Sequence, residues 1–412
     1  MKKVYIQTFG CQMNAADSAE MMLNLSARGC VQTQELSLAD IALVNTCTVR
    51  DHAEHKALSF LGRLAKWKAE KTGRIIIFAG CAAERLGAGV RRKFPQIDII
   101  AGAKNIENFT NIIEKSRLFD NSGATRGTDR HTDKSSDAVA LVNIMRGCSC
   151  KCSYCIVPYV RGEAYSIPPE DIFKRIEDKL SAGAKEIVLL GQTVNEYNYK
   201  GKNFSKLLQD IVKLPSLARV RYISPHPIFI NDEFIQTLSS SQKISKHIHL
   251  PLQSGSTKVL TDMKRGYTRE DFLQKAKMLS SVGIEISTDI IVGYPTETEP
   301  DFKDTLTLLD KINFTAAYCF KFSPRAGTPA ALLTPLDEKI LENRLDILLN
   351  KIKQSSALAY ARQLGTMQSV LMETASNGRT LTNFWVRTTR NYNKGETIEL
   401  KIKDVKDTIL IA

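Results

Sequence analysis

"LVNIMRGCSCKCSYC", residues 141–155, sets an apolar, strand-forming run directly against four cysteines within eight residues. The run reads in two ways. Cys148-x3-Cys152-x2-Cys155 leaves Cys150 idle, whereas Cys148, Cys150, Cys152 and Cys155 together close a tetrahedral zinc. One-residue spacing between ligands cramps the backbone around a tetrahedral ion. The three-thiolate reading leaves a metal site short of one protein ligand, which matters only where chemistry happens at the gap. Such a set can hold three irons of a [4Fe–4S] cluster and leave the fourth to an outside ligand.

Outward from this stretch, strand and helix signals alternate. Strands are expected at "LVNIM" (141–145), "EIVLLG" (186–191), "RVRYI" (219–223), "HIHL" (247–250), "ISTDIIVG" (286–293) and "FTAAYCFKF" (314–322). Six βα units predict a partial barrel over 139–364, with functional loops at the carboxyl ends of its strands. Upstream, "VYIQTF" (4–9), "IALVN" (41–45), "IIIFAG" (75–80) and "IDII" (97–100) alternate with helical stretches, which predicts a doubly wound parallel sheet over 1–118. Residues 119–138, centred on "NSGATRGTDRHTDKSSD", are too polar to contribute to a core and read as a linker. A helix is expected at about 337–364. Beyond it, 365–412 alternate apolar and polar residues around Gly and Asn, suiting a small antiparallel β-barrel of the OB-like kind. The fold class is therefore α/β with a small β appendage.

Composition narrows the setting. The chain has 412 residues, 43% of them hydrophobic and 25% charged, and a net charge of +13. That excess is compatible with a plain hydrated surface or with a polyanionic partner such as nucleic acid. No leader is evident, since "MKKVYIQTFGCQMN" turns polar after three apolar residues, and the longest apolar run, "IIIFAGCAA", is far short of a span. A cytoplasmic protein without membrane contact is expected. Nine cysteines in a reducing compartment then point to metal or redox chemistry rather than disulfides.

Three of those cysteines share a position. Cys11, Cys47 and Cys81 each follow a predicted strand where it hands over to its helix, and in an open parallel sheet these positions line the ligand-binding crevice. The three thiols are expected to converge, with Cys30 apart from them; the plain alternative is that each is a small buried hydrophobe. In the barrel, Tyr154 would lie against whatever occupies the open position. Gly191 and Gln192 end the second strand, His226 the third, and Gln253 and Ser254 the fourth, while Arg265 is offered as a carboxylate partner. Turn chemistry and helix capping explain these equally well.

The residues resemble a known family. "RGCSCKCSYCIVPYVRG" is similar to the cluster motif of radical S-adenosylmethionine (SAM) enzymes, and "TFGCQMNAADS", "NTCTVRDHAEHK" and "FAGCAAE" resemble the three cysteine boxes of the methylthiotransferases. "LLGQTVNEY", "HLPLQSGS" and "STDIIVGYPTETEPDF" continue the likeness, and "GRTLTNFWV" resembles the start of a TRAM domain. Within that family the boxes look most like the MiaB type, which acts on N6-isopentenyladenosine at position 37 of tRNA, beside the anticodon. The resemblance implies two [4Fe–4S] clusters, one on Cys148, Cys152 and Cys155 and one on Cys11, Cys47 and Cys81. It implies SAM near Tyr154, Gly191, Gln192, Gln253, Ser254 and Arg265. No protein acid–base pair is implied, the clusters and SAM carrying the chemistry: a radical from SAM removes hydrogen from adenine carbon 2, the second cluster supplies sulfur, and a second SAM methylates it. The implied partners are the tRNA anticodon stem-loop and an electron donor such as flavodoxin or ferredoxin, with the protein a monomer. The apolar lining of the barrel would take the isopentenyl tail, and Arg379, Arg387, Arg390 and one of Phe384 and Trp385 would meet RNA. Alternatives are a methylthiotransferase for threonylcarbamoyl-adenosine or for a ribosomal protein, and a non-enzymatic Fe–S protein that binds RNA.

Overall fold

The computed structural model describes residues 1–49, 51–116, 118 and 137–412, with Asp51 described by its backbone alone. The expected linker at 119–138 lies outside the described residues, apart from Asp137 and Ala138. The chain divides into two compact units: Met1–Asp133 with Ile156–Glu163, and Lys134–Cys155 with Ala164–Ala412.

The first unit runs β1 (Lys3–Phe9), α1 (Gln12–Ser26), β2 (Val31–Thr33), β3 (Ile41–Thr46), α2 (Asp51–Ala69), β4 (Ile75–Gly80), α3 (Cys81–Leu86), β5 (Ile99–Gly102) and α4 (Phe109–Ser116). Its sheet has the order β2-β1-β3-β4-β5, with every pair parallel. The inner strands are apolar on both faces because both are covered. On β3, Ile41 and Leu43 join Met21, Leu25, Phe109 and Ile113 on one side, while Ala42 and Val44 join Phe60, Leu61 and Leu64 on the other. Edge strand β2, only three residues long, carries no apolar run by which to find it.

The second unit opens with β6 (Val139–Asn143) and β7 (Met145–Arg146). The five-residue α5 (Val157–Arg161) that follows belongs to the first unit. Then come β8 (Tyr165–Ser166), α6 (Pro169–Ser181), β9 (Glu186–Leu190), β10 (Asn198–Tyr199), β11 (Lys202–Asn203), α7 (Phe204–Ile211), β12 (Arg219–Tyr222) and α8 (Asp232–Ser239). The barrel ends with β13 (His247–His249), α9 (Thr257–Asp262), α10 (Arg269–Ser281), β14 (Glu285–Val292), α11 (Glu299–Leu309), β15 (Phe314–Lys321) and α12 (Glu338–Ala361). Six of these strands are parallel, in two three-stranded sheets, β6-β9-β12 and β13-β14-β15, joined through the bridge between Val220 and Ile244. Ile187, Leu189, Val220, Tyr222, Ile248, Ile286 and Ile290 pack outward against helices such as α10. The alternate positions therefore turn inward.

The C-terminal sheet takes β16 (Met367–Met372), β17 (Asn377–Thr380), β18 (Trp385–Arg387), β19 (Thr397–Lys401), β20 (Asp404–Lys406) and β21 (Ile409–Ile411) in the order β19-β16-β17-β18-β21-β20. All pairs are antiparallel except β18 with β21. Its core is Val370, Met372, Phe384, Val386, Ile402 and Leu410, against Ala359 of α12. The hairpin after β17 is seated on the amino-terminal ends of the barrel strands. Arg219 donates to the carbonyls of Arg379 and Thr380, and Lys246 N and Ser245 Oγ both donate to Leu381 O (2.9 and 3.0 Å). Arg221 reaches Asn383 Oδ1 at 2.7 Å.

Candidate metal centres

In the first unit, register brings the three strand ends into line. Phe9 lies opposite Thr46, and Thr46 opposite Gly80, so Cys11, Cys47 and Cys81 emerge side by side at the carboxyl edge. The strand order 2-1-3-4-5 reverses between β1 and β3, and the crevice outside such a switch point is where doubly wound sheets bind ligands. Two glycines permit the close approach. A Cβ on Gly10 (φ +141°) would lie 2.6 Å from Cys47 Cβ, and one on Gly80 (φ +92°) would lie 2.2 Å from Asn45 Oδ1.

The thiols interact directly. A hydrogen bond from the Cys47 thiol, opposed by burial, lowers the Cys11 pKa to about 6, while the Cys47 pKa is raised by the same bond and by burial. Cys11 also donates to Asn14 Oδ1 (3.3 Å), and Val49 N donates to Cys47 Sγ (3.3 Å). Asn14 is held in turn by Asn45, whose Nδ2 donates to Asn14 O (2.7 Å) and Ser18 Oγ (2.9 Å). Cys81 is buried, and its sulfur accepts from Arg161 Nε at 3.2 Å; Arg161 Nη2 pairs with Asp17 Oδ2 at 2.9 Å. Cys30 lies in the helix-covered core, apart from this set.

Sequence reasoning missed Asp17 and Arg161. The signal for Asp17 is its spacing: Met13, Asp17, Met21 and Leu25 step by four along the buried face of α1, and one of them is charged. Arg161 offers no such signal, because its burial comes from tertiary packing of α5 on α3.

The second unit carries the other cysteine group on the loop after β7. Cys148 Sγ lies 3.0 Å from Thr193 Oγ1, and the ligand atoms of Cys148, Cys150 and Glu196 lie within 4.8 Å of one another. A hydrogen bond from Cys150 lowers the Cys148 pKa to about 6 and raises that of Cys150. Cys150 is thus a neighbour of Cys148 rather than a residue turned away. Cys152 accepts from Arg265 Nη1 at 3.2 Å, the same nitrogen is 3.5 Å from Tyr154 Oη, and Cys155 N donates to Cys152 O at 3.1 Å. Arg265 is buried, and its Nε donates to Tyr267 Oη (3.1 Å). Its guanidinium thus lies among a thiol, two phenols and the Pro251 carbonyl (3.4 Å), beside the cysteine loop where a carboxylate partner was expected.

The remaining sequence candidates separate. Gly191 is required by packing, since a Cβ there would lie 2.5 Å from Met145 Cγ. Gln192 Oε1 and Glu196 Oε2 are buried with no hydrogen-bond partner among the described residues, so both are acceptors awaiting a donor or an ion. Gln253 (φ +68°) extends the parallel pairing, its N donating to Asp289 O and its O accepting from Ile291 N, each at 2.9 Å. Ser254 Oγ accepts from Ser256 N (3.2 Å), and Ser256 caps α9, both bonds of a tight turn. His226 likewise accepts from Ile228 N (3.3 Å).

The inward face of the barrel is divided. Leu141, Val188 and Leu190 occupy the alternate positions of β6 and β9. Opposite, His249 bridges Ser287 Oγ (2.9 Å) and Asp289 Oδ2 (3.1 Å), and His247 reaches Ser287 Oγ at 3.0 Å. The expected apolar lining is therefore only half of it. In the C-terminal sheet, Phe384 is buried against Tyr360 (ring centroids 4.8 Å apart) and Trp385 is exposed. Arg379, expected to meet RNA, pairs with Glu373 (3.0 Å) and lies over the Trp385 ring at 3.8 Å.

The thiol-rich donor sets fit iron–sulfur ligation in each unit. Residues 3–102 match the uncharacterized protein family UPF0004, and residues 142–309 match the Radical SAM superfamily. The chain is 38% identical to the tRNA-2-methylthio-N(6)-dimethylallyladenosine synthase of Aliarcobacter butzleri (99% of this chain, 98% of that one). It is 40% identical to the synthase of the same name from Fusobacterium nucleatum (98% of each chain). Among solved structures it is similar in fold to the radical S-adenosylmethionine methyltransferase TsrM from Kitasatospora setae, with a TM-score of 0.58 at 14% identity over 80% of this chain and 77% of that one. The radical enzyme OxsB is similar at a TM-score of 0.54 and 13% identity, over 87% of this chain and 56% of that one. Among the described residues, no helix is long and apolar enough to cross a membrane.

Proposed function

The chain belongs to the tRNA-2-methylthio-N(6)-dimethylallyladenosine synthase family, and from that premise we propose that it adds a methylthio group to carbon 2 of N6-isopentenyladenosine at position 37 of tRNA. The reading uses two [4Fe–4S] clusters, one on Cys11, Cys47 and Cys81 and one on Cys148, Cys152 and Cys155, with two molecules of SAM. The observation that carries it is the pair of thiol groups, one in each unit, each near a buried arginine that donates to a sulfur. When bound, these groups supply a carbon radical able to take hydrogen from an unactivated carbon, and the sulfur and methyl that replace it.

The protein's own residues bind and orient. Arg265 and Tyr154 fix Cys152 and close the barrel cluster against water. Gln192, with its unpartnered oxygen, and the backbone of Gly191, Gln253 and Ser254 line the SAM side of that loop. In the barrel, Leu141, Val188 and Leu190 take the isopentenyl tail, and the His249–Asp289 pair faces the edge of the base. Trp385 stacks on RNA, with Arg387 and Arg390 at phosphates. We divide the chain as 1–118 for the sulfur-supplying domain, 119–138 for a linker, 139–364 for the radical SAM core and 365–412 for the TRAM domain. A cytoplasmic monomer reduced by a flavodoxin or ferredoxin completes the reading.

Mass spectrometry of tRNA nucleosides from cells with and without the gene tests it. Loss of the 2-methylthio group with the isopentenyladenosine retained is the expected result. An unchanged nucleoside profile, or a loss confined to threonylcarbamoyl-adenosine, sinks it. SAM cleavage by the reduced protein separates the enzyme from a non-catalytic Fe–S protein that binds RNA.

A further inference from the structure

Arg161 reaches the first thiol group from α5, six residues after Cys155 and at the far end of the stretch that carries the barrel cysteines. The packing that delivers it is apolar: Ile156 and Val160 form one cluster with Cys81 and Ala103. Gly162 (φ +79°) ends the short helix immediately after it. The side chain is 4% exposed, and that of its partner Asp17 is wholly buried. Burying an ion pair is costly, and apolar residues of similar volume would hold α1 and α5 together at least as well. A buried pair at this point therefore calls for a reason beyond folding.

The guanidinium carries five N–H donors in a fixed plane. Nε serves Cys81 and Nη2 serves Asp17, while Nη1 is buried with no acceptor among the described residues. A buried donor left unmet is costly. Sulfur atoms brought by a group on the three thiols are acceptors of the right kind. A donor that touches one ligating sulfur and has another N–H to spare is suited to set both the orientation of the ligand and the charge around the group.

We propose that Arg161 is a positioning residue of the site at Cys11, Cys47 and Cys81: it orients Cys81 as a ligand and donates a further N–H to a sulfur of the group held there, with Asp17 fixing the guanidinium and moderating its charge. This rests on the reading of that site as a cluster holder. Hydrogen bonds and positive charge at cluster sulfurs favour the reduced form. Arg161 therefore raises the potential of this cluster, and Asp17 restrains the rise.

The test is made in the full chain carrying Cys148→Ala, Cys152→Ala and Cys155→Ala, so that a single cluster is observed. That background must bind iron; if it binds none, the reading of the site has failed, and not the role of Arg161. Arg161→Gln, Arg161→Lys and Asp17→Asn are then compared by iron content, electron paramagnetic resonance and midpoint potential. The expected result is a shift to more negative potential in Arg161→Gln, a smaller shift of that sign in Arg161→Lys, and a shift to more positive potential in Asp17→Asn. A purely structural ion pair gives no such opposed signs. Unchanged potentials, shifts of one sign throughout, or loss of iron from all three variants would each overturn the proposal.

Discussion

Removing Glu186 should loosen the C-terminal sheet, and the structure gives the size of the effect. Glu186 is 1% exposed and faces two guanidinium groups, Arg219 Nε at 3.1 Å and Arg221 Nη2 at 2.5 Å. Breaking a buried pair from one side costs about 3–5 kcal/mol, because the partner's charge stays behind uncompensated. Both arginines keep other acceptors, the carbonyls of Arg379 and Thr380 and the amide of Asn383, which sets Glu186→Ala near the lower end, about 3 kcal/mol. The chain has two tryptophans, Trp67 and Trp385. In a Trp67→Phe background the remaining indole, lying under Arg379, reports on the C-terminal sheet alone. Urea unfolding followed by its emission should shift by about 1 M, taking a slope of about 3 kcal/mol per molar. Glu186→Gln, which keeps the shape but removes the charge, should show most of the loss. A cost below about 1 kcal/mol for either variant would mean that water already screens the network, and the argument for a buried seat would be wrong.

Anaerobically prepared protein should carry about eight irons, falling to about four when Cys148, Cys152 and Cys155 become alanine; stoichiometric zinc in their place would defeat the assignment. Cys150→Ser should keep its iron and its SAM cleavage, and loss of the cluster in that variant with retention in Cys148→Ser would reverse the ligand register. His247 is held neutral in the fold, chiefly by burial, with a pKa lowered to about 3. A depressed histidine contributes stability above its unfolded value near 6.5, and that stability is lost as pH falls below it. The second unit should therefore lose about 1.4 kcal/mol between pH 7.5 and 5.5 that His247→Gln does not lose, read from urea midpoints at both values. Trp385→Ala should weaken tRNA binding by about 1–3 kcal/mol with the salt slope unchanged, whereas Arg387→Ala and Arg390→Ala should each lower that slope by about one; the opposite pattern in filter binding would exchange their roles.

Much of the fold was legible because covered parallel strands read as apolar runs with helices between them. β3 and β4 (Ile75–Gly80) are found almost to the residue. β2 was missed because an exposed three-residue edge has no period to detect. In the sites, cysteines at strand ends were readable from order alone, since the position of each thiol follows from strand register. Asp17 was readable from its place on the buried face of α1, but Arg161 and Glu196 were not, because the burial that makes such a charged side chain significant is set by distant packing. The half-polar lining escaped for a related reason: "HIHL" and "ISTDIIVG" show their alternation, but which face turns inward is decided only when the helices dock. The pairing of Arg379 with Glu373 was hidden for the same reason, since it is set by the fold of its own sheet.

The hairpin after β17 is gripped almost wholly by its carbonyls: those of Arg379, Thr380 and Leu381 take the bonds from Arg219, Ser245 and Lys246. Among the described residues, Asn383 is the hairpin side chain that joins this grip, at Arg221 (2.7 Å) and His247 (3.4 Å). A grip on main-chain atoms does not read side-chain identity. The sheet's outward residues are thus free to change without unseating it, and grafting the outer face of a foreign RNA-binding sheet onto this hairpin should redirect the substrate while the barrel keeps its geometry. The fold has separated what anchors the sheet from what the sheet recognises.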